Sequence, residues 1–230
     1  MTIVQIKAVG TNIFIDAELM LLNKLIAHAR RQIDQVRRRV IEDETIPHDE
    51  KVFSIFEEHT EWISKGKAGV PQELGLRVCI LKDQFGFILH HQVMEKETDD
   101  KVAIPMVTEA KRMFPALIEC SFDRGFYTPD NKKKLKEILD HLVLPQKGRL
   151  SEIVREEEHS EKFIKARHKH AAVESSINAL ENHGLDRCRD HGIHGFKRYV
   201  ALSVLARNIQ IIGHMIQQKE LNSQRCRKAA

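Results

Sequence analysis

A mixed-sheet α/β domain is the fold class this sequence predicts, on three observations. A hairpin pattern spans residues 76–94, helical and strand patterns then alternate from 99 to 145, and long apolar-striped helices stand at 17–41 and beyond 161. An antiparallel unit followed by alternating helices and strands is the arrangement of a mixed sheet covered by helices.

Taken in order, residues 2–9 partly alternate apolar and polar, as a half-buried strand does, and Gly10 and Asn12 punctuate its end. From 17 to 41 the positions Leu22, Leu25, Ile26, Ala29, Ile33, Val36 and Val40 recur at three- and four-residue steps. That spacing predicts a long amphipathic helix with an arginine-rich opposite face, either solvated or touching phosphate. Pro47 and the acids around it mark a linker, and residues 51–56 look short and β-like. Residues 76–81 and 87–94 flank a tight turn at 83–86, with Asp83 as a turn residue and Gly86 in the connection. A helix over 99–113 follows, then a strand that ends at Asp123. Next come a helix over 130–139 with Asp130 as its N-cap, and a short buried strand closed by Pro145. The charged stretch 151–161 is polar nearly all round and reads as exposed. A helix over 161–182 carries Val173, Ile177 and Leu180 on one face and stops at Gly184. The last helix, 195–217, is apolar almost all round, which predicts burial, and the tail beyond it reads as disordered. No repeat is visible. The element order is that of a ribonuclease H-like sheet flanked by helices, with a long N-terminal helical insertion and a helical C-terminus.

The 230 residues carry a formal charge of +4, with 42% hydrophobic and 30% charged residues. Such a chain can bury a core beneath a charged surface, and its mild basic excess tolerates a nucleic-acid partner without requiring one. Aromatics at 6% argue against extensive base stacking. No apolar run reaches the roughly 18–20 residues that span a bilayer, and the N-terminus lacks a signal-peptide pattern. Four scattered cysteines suggest reduced thiols. Together these predict a soluble cytoplasmic protein.

Two acids stand out. Asp123 ends an apolar run at Ile118-Glu-Cys-Ser-Phe-Asp-Arg-Gly-Phe-Tyr127, where an α/β strand delivers a side chain to the carboxyl edge of its sheet. Such an acid can equally be a cap for the loop that follows. Glu174 lies between His170 and Asn178 on one helical strip, among the small residues Ala171, Ala172, Ser175 and Ser176 that permit close approach. Acids drawn from distant segments are what a divalent-metal phosphoryl-transfer site uses.

Several separated segments then carry a resemblance: residues 51–63, Lys65-Gly-Lys-Ala68, Glu73-Leu-Gly75, Ser121-Phe-Asp-Arg-Gly-Phe126, Leu144-Pro-Gln-Lys-Gly148 and the run from His170 to Leu185. In this order they resemble an insertion-sequence DDE transposase, nearest to the ISNCY-type group, over nearly the whole chain. The resemblance implies a catalytic domain over 1–217 with a tail at 218–230. It implies metal-dependent cleavage and strand transfer of double-stranded DNA at transposon ends in DNA transposition, in the cytoplasm at the nucleoid. Three acids would hold two Mg²⁺ ions, Asp123 being the second and Glu174 the third. His170 takes the place of a DNA-contacting basic residue one turn before the glutamate, with Lys169, Lys147 and Arg124 as further DNA-binding residues. Glu181 stands where the pattern has a lysine, which removes that phosphate contact. No membrane is implied, and a homodimer is allowed.

The first acid departs from the pattern. Counting back from Thr11-Asn12-Ile13 places Gln5 where the family has aspartate. A neutral carbonyl oxygen there leaves two carboxylates for two divalent ions. The expectation is therefore a folded but inactive transposase, the alternative being a non-catalytic DNA-binding remnant. A helical DNA-binding region that such transposases carry before the catalytic domain is also missing from the pattern. A competing constellation, His183, Cys188, His191 and His194 around a glycine-punctuated loop, has the residue types of a zinc site.

Overall fold

The computed structural model describes residues 13–64 and 72–229; the side chains of 13–14, 162, 168–172, 174 and 228–229 also lie outside the description. The strand expected at 2–9, and Gln5 with it, falls outside the described residues. Two compact units divide the chain, Met1–Gly75 and Leu76–Ala230.

In the first unit, helix α1 (Ile13–Val40) realises the long amphipathic pattern. Its arginine-rich C-terminal end is only partly solvated. Arg38 donates from Nε and Nη2 to Glu44 (2.8 and 2.6 Å) and from Nη1 to Glu50 (2.9 Å). Those two carboxylates raise the Arg38 pKa, Glu44 contributing most, and Arg38 in turn holds Glu44 below the usual carboxylate range. Residues 51–56, read as β-like, form no strand, because Val52 spends its backbone groups on the Gln35 side chain. A strand pair the sequence reading passed over, β1 (Glu61–Ser64) and β2 (Gln72–Gly75), runs antiparallel with Trp62 opposite Leu74.

The second unit opens with the hairpin of β3 (Arg77–Lys82) and β4 (Ile88–Met94), antiparallel and with a bulge at Leu81/Lys82. Asp83 Oδ1 accepts the N–H groups of Phe85 and Phe87 (2.9 and 2.8 Å), which makes it the turn residue expected. Helix α2 (Asp99–Met113) follows, then β5 (Glu119–Ser121), a 3₁₀ turn (Arg124–Phe126), α3 (Pro129–Ile138) and β6 (His141–Val143). Strand β6 runs parallel to β5, with Cys120 opposite Leu142. The fold is thus mixed α/β, with antiparallel and parallel pairs. Its core lies where α2 presses Val102, Met106, Val107 and Ala110 between the hairpin's Leu81 and Met94 and the Leu135 face of α3.

Three expectations need correction. Asp130 is not the cap of α3: Thr128 accepts the Asn131 N–H (3.0 Å), and Pro129 fills the first helical position, where a missing N–H costs nothing. The charged stretch after Pro145 is exposed as expected but forms a helix, α4 (Glu152–His159), capped by Ser151. Beyond α5 (Glu161–Leu180) and its continuation Glu181–Leu185, helix α6 (Gly192–Ala229) is buried along one face only, at Val200, Val204 and Ile211, and not all round. Asn208 fixes that face to the hairpin, accepting the Ile88 N–H (2.9 Å) and donating to the Ile88 carbonyl (3.0 Å). The same helix runs through the segment expected as a tail. By length and composition alone, Gly192–Arg227 is also apolar enough to cross a membrane, although polar residues interrupt its apolar runs. The stop at Gly184 holds: its φ of +102° is a left-handed conformation suited to glycine, and its carbonyl accepts the Tyr199 hydroxyl (3.0 Å).

Candidate functional site

Strand β5 is short because its apolar run must stop where the chain leaves the core. Phe122 is the last buried side chain, 8% exposed, and its N–H still bonds the Val143 carbonyl of the β6 strand (2.8 Å). Asp123 comes next and is exposed. Its Oδ1 accepts the Arg124 N–H at 2.7 Å and so caps the 3₁₀ turn. The loop-cap reading of this acid is therefore realised. It does not exhaust the group, since a carboxylate offers about four lone-pair sites and one such bond leaves capacity for a cation.

The turn that presents Asp123 is held from three sides. Lys147 Nζ donates to the Gly125 carbonyl (2.8 Å). Asn131, only 5% exposed, donates from Nδ2 to the carbonyls of Phe126 (2.9 Å) and Asp100 (2.6 Å), tying the turn to the first residues of α2. Asp99 packs directly on Gly125: a Cβ there would stand 2.6 Å from its Oδ2, far inside van der Waals contact. Arg77 steadies Asp99 (Nη1 to Oδ1, 3.5 Å) while its Nη2 donates to the Glu97 carbonyl (2.5 Å). The Thr98 hydroxyl holds the neighbouring Asp100 carboxyl below its ordinary range, with Lys147 assisting more weakly.

Sequence reasoning missed Asp99 and Asn131. The signal available was the acidic pair opening α2 and an asparagine just ahead of a lysine run, and neither points inward without the tertiary contact.

Helix α5 packs across β5 and β6. Val173, which precedes Glu174, and Phe122, which precedes Asp123, line one largely apolar cavity of ≈ 650 Å³ between β3, β5, α2 and α5. The helix is pinned at this level by Lys82, whose Nζ donates to the buried Ser176 hydroxyl (3.1 Å). Burial, and the Arg207 charge after it, depress the Lys82 pKa. The backbones that carry Asp123 and Glu174 thus flank the same cavity. The side chains of Lys169, His170 and Glu174 lie outside the described residues, as does Gln5. Arg124 and Lys147 are exposed beside Asp123.

Among the described residues no three His, Cys, Asp or Glu side chains come together to hold a metal ion. Cys188 instead donates to the Asp190 carbonyl (3.5 Å), and Asp190 pairs with Arg198. The zinc reading gains no geometric support.

A family model described as Transposase DDE domain matches residues 37–209. No curated protein and no solved structure matches the chain.

Proposed function

The chain belongs to the DDE transposase family, and from that premise we propose that it is an insertion-sequence transposase domain of ribonuclease H-like fold, ISNCY-type, whose cleavage activity is curtailed at Gln5. The observation that carries the reading is Asp123, an exposed carboxylate clamped at the carboxyl end of β5, beneath the helix that bears Glu174.

Asp123 and Glu174 are the residues that would hold the divalent ions, Mg²⁺ being the ion that hard carboxylate oxygens suit. When bound, such ions polarise the scissile phosphate and the attacking oxygen. The exposed Asp123 fits that task, with one oxygen capped and acceptor capacity to spare. The chain's own residues orient it: Lys147, Asn131 and Asp99 hold the turn, and the Lys82–Ser176 bond fixes the height of α5. Arg124, Lys147, Lys169 and His170 are proposed to meet DNA phosphates, an interaction that weakens steeply with salt. The protein would work in the cytoplasm, at the nucleoid.

With glutamine in place of the first aspartate, two carboxylates face four positive charges, so at least one ion binds weakly. Non-catalytic DNA binding is the second reading, and Gln5 is the observation that favours it. The test is nicking of supercoiled plasmid in Mg²⁺ or Mn²⁺ by the wild type, Gln5→Asp and Asp123→Asn. We expect salt-sensitive DNA binding with little cleavage by the wild type, and at least a tenfold gain in Gln5→Asp. Robust wild-type cleavage that vanishes in Asp123→Asn would reject the inactivity while keeping the site. Cleavage that Asp123→Asn leaves untouched would reject the site.

A further inference from the structure

Helix α1 turns its polar side toward its own unit and its apolar stripe toward solvent. Gln35 bonds the Val52 backbone in both directions (2.6 and 3.5 Å), and Arg38 holds Glu44 and Glu50. Lys24 pairs with Glu58, which His28 also approaches (3.9 Å). Residues 24, 28, 35 and 38 lie at helical steps on one side of α1. The other side carries Leu22, Ile26, Ala29, Ile33, Val36 and Val40, at steps of four, three, four, three and four. Leu22, Ile33, Val36 and Val40 are 40, 68, 57 and 74% exposed, and Ile26 and Ala29 are half-buried. A contiguous apolar stripe of this kind marks an interaction site. Strict three-four spacing makes it a narrow seam, the pattern by which one helix meets another.

We propose that this seam docks an acidic amphipathic helix of another protein, whose apolar residues lie on the stripe and whose Glu or Asp side chains face Arg30, Arg37 and Arg39. Charge selects that occupant. The positions flanking a helix seam set partner choice. Here three of them are arginines, all exposed, and none from 23 to 39 is an acid. Asp34, elsewhere on the helix, is engaged by Arg38 (3.6 Å). Arg37 reaches Glu42 (3.3 Å), an exposed pair that is worth little and yields to a competitor.

Other occupants fit less well. A second copy of α1 brings the same arginines and no flanking carboxylate. A nucleic acid neutralises the arginines and leaves the stripe in water. A membrane surface takes a broad apolar face set with Trp or Phe, and residues 22–40 contain no Trp, Tyr or Phe. In an acidic helix the apolar seam supplies affinity, and the charges beside it supply selectivity and a faster encounter.

The test uses the full chain and a fluorescein-labelled synthetic peptide of about three heptads, with Leu at both seam positions and Glu at the flanking ones. The flanking glutamates also keep the peptide from pairing with itself. Fluorescence anisotropy at low salt is expected to give a dissociation constant of about 10 μM, weakening as salt is raised. A peptide with Lys in place of Glu should bind about tenfold more weakly, and Ile33→Gln or Val36→Gln in the chain should weaken the acidic peptide by at least about tenfold. Circular dichroism should be unchanged, since both side chains are exposed. The double variant Arg30→Glu/Arg37→Glu should reverse the preference and take the Lys peptide. Binding indifferent to the flanking charge, binding that survives Ile33→Gln, or no reversal in the double variant would each overturn the proposal. So would flotation with phosphatidylglycerol vesicles in place of peptide binding, or self-association of the chain that Ile33→Gln abolishes.

Discussion

Replacing Asn131 by aspartate keeps the shape of the side chain and reverses its hydrogen bonding. In the wild type Nδ2 donates to two carbonyls at once, Asp100 at 2.6 Å and Phe126 at 2.9 Å, from a position 5% exposed to solvent. In Asn131→Asp a carboxylate oxygen faces both carbonyls, so two bonds are lost and a charge is set against two partial negative charges in a buried site. Each neutral bond is worth about 1 kcal/mol net, and stranding a buried polar partner adds a further ~1–3 kcal/mol. The expected loss is about 3 kcal/mol, which equilibrium urea unfolding of the full chain reads as a lower midpoint at unchanged slope. Asn131→Ala, which deletes the donor without adding charge, should lose about 2 kcal/mol. Because the Phe126 carbonyl belongs to the turn that presents Asp123, both variants should also weaken any metal-dependent nicking by the Gln5→Asp protein. A change below about 0.5 kcal/mol in Asn131→Asp would refute the reasoning, since the pair of bonds would then contribute nothing net.

Gly125→Ala should destabilise the same turn by about 1–3 kcal/mol, because its methyl would meet the Asp99 carboxylate at 2.6 Å; pairing it with Asp99→Ala should recover most of the loss in a double-mutant cycle, and additive losses would argue against the contact. The thiols of Cys79 and Cys120 are pushed up to about 12, burial being the main cause for each, so at pH 8 a maleimide should modify exposed Cys226 well before either; mass spectrometry of a time course checks the order. Burial also depresses the pKa of His91, with His90 adding a smaller effect. The unfolded chain then binds the proton more readily, so stability falls as pH drops below the unfolded value of about 6.5, down through the lower folded value. Thermal melts between pH 7 and 5 should show a slope that His91→Gln reduces, and an unchanged slope would exclude His91 as its source.

Much of this was legible in the residues themselves. Local periodicity determined the hairpin at 77–94, the helix Asp99–Met113 and the strand before Asp123, because apolar spacing and turn residues are properties of the chain alone. Gly184 was readable for the same reason, since a left-handed stop needs glycine wherever it occurs. Motif order across separated segments also carried the family, which the match over residues 37–209 bears out. Tertiary structure decided what composition could not. Residues 51–56 had a β-like pattern, yet Gln35, a distant side chain, took the backbone groups of Val52. Asp130 looked like a cap until Thr128 and Pro129 filled the positions before it. Residues 195–217 read as apolar almost all round, but only the face that meets the hairpin is buried, because one helix can lay only one side against one sheet. At the candidate site the sequence marked Asp123 as an acid at a strand end, and its clamp by Lys147, Asn131 and Asp99 came from three segments that no spacing relates. Spacing along a chain fixes which face a residue occupies; only the packed fold fixes what that face meets.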